Sequence, residues 1–158
     1  MDKAFFKQSF LGKFQEAFHA DDPGVSQKGQ EAENVALVRR AYEAIVDGEP
    51  QAFAALMHEN IKAEILGPAS APIGGKWQGR EEFLAAVARN LAMFQQQRVR
   101  LEQLVAQGDV VVVFAHEQGH YLPARRDYAL RWIQCFIVRD GQIAEFREYM
   151  DGDPPWAS

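Results

Sequence analysis

The sequence predicts an α+β fold, with three helices packed on one face of a curved antiparallel sheet and a further amphipathic helix ahead of them. Two observations carry that prediction. Between residues 32 and 94 the apolar side chains recur mostly at helical period, broken by one short alternating segment. From Arg98 onward the pattern changes to long alternating runs separated by turn residues, Gly108-Asp109, Pro123-Ala124-Arg125 and Arg139-Asp140-Gly141.

Length and charge narrow the class. A chain of 158 residues suits one domain and buries roughly 70% of its unfolded surface. A net charge of −5 argues against nucleic acid or an anionic membrane as the main partner. The single cysteine, Cys135, leaves no intrachain disulfide, so a reducing cytoplasm is the expected location. No apolar run reaches the roughly 18 residues of a membrane span, and Lys7 and Lys13 interrupt the apolar start too early for a secretory signal.

The elements follow in order. Residues 2–20 form an amphipathic helix in which Phe6, Phe10, Phe14 and Phe18 recur at helical spacing. It would dock on the domain or a neighbouring subunit, lie on a membrane surface, or serve as an interaction arm. Residues 21–29 read as a linker, 30–151 as the domain and 152–158 as a tail. Within the domain, Ala32–Val46 is a helix with Val35, Val38, Ala41, Tyr42 and Ile45 on its apolar stripe. Asp47-Gly48 ends it, and Pro50 opens a short helix to Met57. Ile61–Leu66 is a short strand, Gly67–Gly79 a loop containing Trp77, and Arg80–Phe94 the third helix. Strands follow at Arg98–Ala106 and Val110–Leu122, and then a hairpin spans Arg126–Asp151.

Register in that hairpin decides which residues meet. A two-residue turn places Glu148 opposite Ile133. A three-residue turn with Gly141 in a bulge places it opposite Trp132. The second is preferred, because it gathers Trp132, Phe136, Val138, Ala144 and Phe146 on one face, with Gln134, Gln142 and Glu148 as its polar members. An apolar wall containing a carboxylate suits a ligand cavity.

Three stretches carry a family resemblance: ENVALVRRAYEAIVDGEPQAFAALMHENI, GKWQGREEFLAAV and IVRDGQIAEFREYMD. With them, residues 33–151 resemble the SnoaL-like, ketosteroid isomerase-like group of the nuclear transport factor 2-like superfamily. The resemblance implies a cone-like sheet whose open end receives a small apolar molecule, and a homodimer packed through the outer sheet face. Function does not follow from the fold, which hosts isomerases, cyclases, hydrolases and non-catalytic binders. The ketosteroid isomerase tyrosine and aspartate positions fall on Ala41 and Ile65, and the second oxyanion donor on Gln134. That machinery is therefore not expected here, and Tyr42, one residue along, is expected to point elsewhere. In the limonene epoxide hydrolase branch the two aspartates correspond to Glu117 and Glu148, and the arginine to Ala115.

Glu148 and Glu117 are the candidate catalytic residues. On a wall of aromatics, desolvation raises a carboxyl pKa toward the range useful for acid–base work. The structural alternatives are an ion pair of Glu148 with Arg131 or Arg147, and of Glu117 with Arg98, Arg100 or Arg131. Trp132, Gln134, Phe136, Phe146, Tyr128 and Trp77 are read as lining or mouth of the cavity. His116 and His120, four apart on a strand, stand ~13 Å apart and cannot share an ion, so no metal site is expected. The chemistry implied requires no cofactor. Val112 and Phe114, with Ile133, Cys135 and Ile137 on the next strand, form an outer apolar face suited to a homodimer or to the N-terminal helix. Two further functions stay open: a non-catalytic binder of a hydrophobic metabolite, and a dimeric interaction module.

Overall fold

The computed structural model describes residues 29–67 and 71–156. The expected N-terminal helix and all of the linker except Gly29 lie outside these residues. The first helix, α1 (Gln30–Val46), buries Val35, Val38, Ala41 and Tyr42 along one stripe. Its end is closed by Gly48 at φ 67, with Glu49 N–H on Ala44 O (2.8 Å) and Gly48 N–H on Ile45 O (3.2 Å). These paired bonds satisfy carbonyls that a helix terminus otherwise leaves open. Pro50, which has no N–H to lose, then starts α2 (Pro50–Ala55).

Six strands follow, with α3 (Arg80–Leu91) between the second and third. They are β1 (Met57–Leu66), β2 (Gly75–Gln78), β3 (Phe94–Gln107), β4 (Val110–Tyr121), β5 (Arg126–Arg139) and β6 (Gln142–Asp153). The sheet order is β2-β1-β6-β5-β4-β3. The sheet is curved and unclosed, and the helices pack on its inner face. One contact departs from the antiparallel expectation: β1 runs parallel to β6. Strand β2 lay inside the expected Gly- and Pro-rich loop. At four residues it is too short to show a period, and it forms the edge beside β1.

The hairpin register corrects the expected turn. Asp140 and Gly141 both have positive φ, at 52 and 72, which makes a two-residue turn pairing Arg139 with Gln142. The surplus residue is absorbed further along, where the register shifts between Ile137 and Val138. This bulge lets Ile143 and Ala144 both enter the core. Glu148 therefore faces Gln134, and neither Trp132 nor Ile133.

Val38, Ile61, Val111, Val113 and Ile143 are fully buried between sheet and helices. Each contributes roughly 1.5–3 kcal/mol relative to exposure. A second cluster joins Ile73, Phe94, Tyr121, Tyr128 and Leu130, and Trp156 packs on Tyr121 beyond the last strand. On the outer face the register aligns Val105, Val112 and Cys135 in one row and Phe114, Ile133 and Tyr149 in another. Val105, Ile133 and Tyr149 are each more than a third exposed. Among the described residues no helix is long and apolar enough to cross a membrane.

Candidate functional site

Between the inner sheet face and the three helices lies a cavity of about 150 Å³. Space of that size admits about one six-membered ring. Its walls are mainly apolar and aromatic, and among the described residues no Lys, Arg or His lines it. Two carboxylates do, Glu117 from β4 and Glu148 from β6, on the strands flanking β5.

Glu148 is held by a short relay. The Gln134 amide donates to its Oε2 at 2.5 Å, and the Tyr42 hydroxyl donates to Gln134 Oε1 at 2.5 Å. The tyrosine thus fixes which end of the amide faces the carboxyl. Enclosure pushes the Glu148 carboxyl up to about 7; the Gln134 hydrogen bond opposes that rise and the nearby Glu117 charge adds to it. Tyr42 is raised well above its ordinary value, first by burial and then by the Glu148 charge, so it stays a donor.

Glu117 has a different environment. Its Oε1 accepts from Tyr128 Oη and from Gln97 Nε2 (2.8 Å), and its Oε2 accepts from Trp132 Nε1 (2.9 Å). Tyr128 is pushed upward by burial and by the Glu117 charge. It reaches Glu117 because the residue opposite it is Gly119, where a Cβ would stand 2.9 Å from the Tyr128 hydroxyl oxygen. The glutamine, tyrosine and indole take the place of the arginine partners considered from sequence.

The cavity brings together Glu117, Glu148, Trp132, Gln134, Phe136 and Phe146. It does not include Tyr128, which stands behind Glu117, or Trp77, which packs on Phe83 from the edge strand at 6.5 Å. Tyr42 corrects an expectation: it does not point away but lines the cavity and stacks near Trp132 at 6.4 Å. Val38, Ala41, Tyr42 and Ile45 share one helical face, so the same turn of helix carries Ala41 and Tyr42 inward. Gln97 was outside the expected strand altogether. It is 5% exposed and turns inward because β3 begins earlier and carries a register shift between Gln95 and Arg98, with Gln96 at φ 52. His116 pairs in register with Arg100 and Arg131, and half-buried His120 meets exposed Asp127 at 2.8 Å. Cys135 is on the outer face, where burial raises its thiol, the Arg147 charge lowers it and the Glu145 charge raises it.

A curved six-stranded sheet wrapped on three helices, with a polar-anchored apolar cavity, is the nuclear transport factor 2-like arrangement. The family model of the SnoaL-like domain matches residues 38–146, and the chain belongs to that family. Solved structures share the fold. An NTF2-like protein from Burkholderia xenovorans LB400 is 24% identical, with TM-score 0.67, over 77% of this chain and 91% of that one. A candidate SnoaL-like polyketide cyclase from Jannaschia sp. CCS1 is 22% identical, with TM-score 0.71, over 81% and 92%. TerC, co-crystallised with polyporic acid, is 20% identical, with TM-score 0.66, over 75% and 92%. No curated protein matches the chain.

Proposed function

We propose that the chain is a SnoaL-like small-molecule enzyme in which Glu148 is the general acid–base group, assisted by Glu117, on an apolar oxygenated substrate. The observation that carries this reading is Glu148 itself. Its carboxyl, pushed up to about 7 by burial, lies in an apolar cavity and is oriented by one amide that is itself oriented. A carboxylate so placed takes a proton from water or from a carbon beside a carbonyl, and as the acid returns it. Isomerisation, cyclisation and hydrolysis all fall within that chemistry. Hydrolysis through an Asp-Arg-Asp set is the least favoured of the three, because Ala115 stands at the arginine position and no cation among the described residues lines the cavity. Two proteins of the same fold, one named a SnoaL-like polyketide cyclase and one co-crystallised with polyporic acid, are in keeping with a small-molecule ligand.

The test is a thermal-shift and turnover screen of wild type and Glu148→Gln with small cyclic ketones, lactones, epoxides and their hydroxylated analogues. A compound that stabilises both proteins and is converted by wild type alone supports the reading. Equal binding with no conversion by either makes the protein a carrier. The proposal extends to two settings. One is the cytoplasm, resting on the single cysteine and checked by cell fractionation. The other is a homodimer through the outer rows, resting on the exposure of Val105, Ile133 and Tyr149.

A further inference from the structure

The cavity holds two carboxyls and no counter-charge. Among the described residues Tyr42, Glu117 and Glu148 are its only titratable lining side chains. The hydrogen-bond partners of the two carboxyls are neutral: Tyr128, Gln97 and Trp132 on Glu117, and Gln134 on Glu148. Arg98, Arg100, Arg131 and Arg147 are all exposed, and none of them lines the cavity. The Glu117 charge is nonetheless felt at Glu148, where it adds to the upward push of burial. Acidic side chains shut away from bulk water are ordinarily paired with a cation. One oxygen is free for such a partner. Glu148 Oε2 takes the Gln134 amide, whereas Oε1 has no donor among the described residues. Unlike Gln97 Oε1, which is fully buried without a donor, Glu148 Oε1 keeps accessible surface on a residue that lines the cavity. The walls suit the same partner. Tyr42 and Trp132 stack at 6.4 Å, and Phe136 meets Phe146 edge-on at 5.3 Å. Aromatic faces carry partial negative charge and attract cations.

We propose that the cavity takes a cation: a ring of roughly benzene size carrying a positive nitrogen, seated against Glu148 Oε1 and the aromatic faces, in the field of Glu117. This rests on the proposed small-molecule site and narrows its ligand, which supplies the counter-charge that the lining omits. Anionic rings are rejected by the same two carboxyls. A positive centre beside Glu148 also favours its ionised, proton-accepting form.

The experiment is calorimetric or NMR binding to the folded full chain at pH 8, using two pairs of near-isosteres that differ in charge. One pair is N-methylpyridinium against toluene, and the other is benzoate against nitrobenzene. Wild type is expected to bind N-methylpyridinium about tenfold more tightly than toluene, and benzoate about tenfold more weakly than nitrobenzene. Glu148→Gln should cut the preference for N-methylpyridinium severalfold. If that variant does not fold, the wild-type preference read again at pH 5.5, where Glu148 holds its proton, should shrink in the same way. Toluene binding as tightly as N-methylpyridinium at pH 8 overturns the inference, as does failure of N-methylpyridinium to bind. A preference unchanged in Glu148→Gln, or unchanged in acid, overturns it too. The enzymatic reading fails separately. Turnover of a neutral oxygenated ring with no preference for the cation would sink the charge inference alone, and a cation bound but never converted would sink the enzymatic reading alone.

Discussion

Gln134 and Glu148 face each other across β5 and β6, joined by a 2.5 Å hydrogen bond from the amide to the carboxyl. The pairing exists because the hairpin places its surplus residue at Ala144 and not in the turn. This bond stabilises the ionised form of Glu148. Gln134→Leu should therefore move the Glu148 titration upward from about 7, read by carbon-detected NMR of the carboxyl. A titration that stays in place or falls would show that the amide does not stabilise the charge.

The same carboxyl makes stability depend on pH. Its folded value of about 7 lies above the ordinary 4.5, so between those values the folded state holds the proton more tightly. Stability then falls as pH rises from 4.5 to 7 and levels off above. Glu148→Gln should match wild type below pH 4.5 and exceed it at pH 8 by on the order of 3 kcal/mol, or roughly 5–10 °C in Tm. Melting curves of both proteins across this range check the prediction.

The pH profile of turnover assigns the role of Glu148. If it is the base in the limiting step, kcat/KM rises as pH passes about 7; if it is the acid, kcat/KM falls there. A flat profile between pH 6 and 8 would remove Glu148 from the chemistry.

Gly119 and Tyr128 are predicted to act as one unit. Gly119→Ala forces its Cβ against the Tyr128 hydroxyl and the Gln95 carbonyl, at an expected destabilisation of about 1–3 kcal/mol. Tyr128→Phe removes the donor to Glu117. Chemical denaturation of the double mutant should show less loss than the two single mutants added together. Simple additivity would mean that Gly119 serves the Gln95 backbone alone.

On the outer face, Ile133 lies between Phe114 and Tyr149 and is 37% exposed. Ile133→Glu should convert the proposed dimer to monomer in sedimentation equilibrium while leaving the cavity's binding intact. A wild type that sediments as a monomer at all concentrations would end the dimer reading.

Much of this architecture was readable from side-chain period. The α1 stripe and the Gly48 terminus are local signals that the structure keeps; the Asp140-Gly141 turn stands where expected, but as a two-residue turn and not the three-residue one. The positions of the bulges were not readable, because an extra residue in a strand leaves composition unchanged while inverting which side chains face inward. A bulge at Gly141 sets Glu148 opposite Trp132, whereas one at Ala144 sets it opposite Gln134, and Gln97 stands one residue before the expected start of its strand. Tyr42 is legible in the sequence: its place on the same stripe as Val38 and Ala41 points it inward. The parallel β1–β6 contact joins segments some eighty residues apart, a distance over which no local pattern speaks.

That contact bears on how the chain comes into being. Strand β6 is the last to be synthesised, yet it lies in the interior of the sheet, between β1 and β5. A nascent chain still lacking Gln142–Asp153 holds two sheet fragments with nothing to join them and, at β1 and β5, two unpaired edges beyond those of the complete sheet, a state open to wrong pairing. Glu148 arrives on that same strand. Closure of the fold and arrival of the proposed acid–base group are thus a single event, reached only once the sixth strand has emerged.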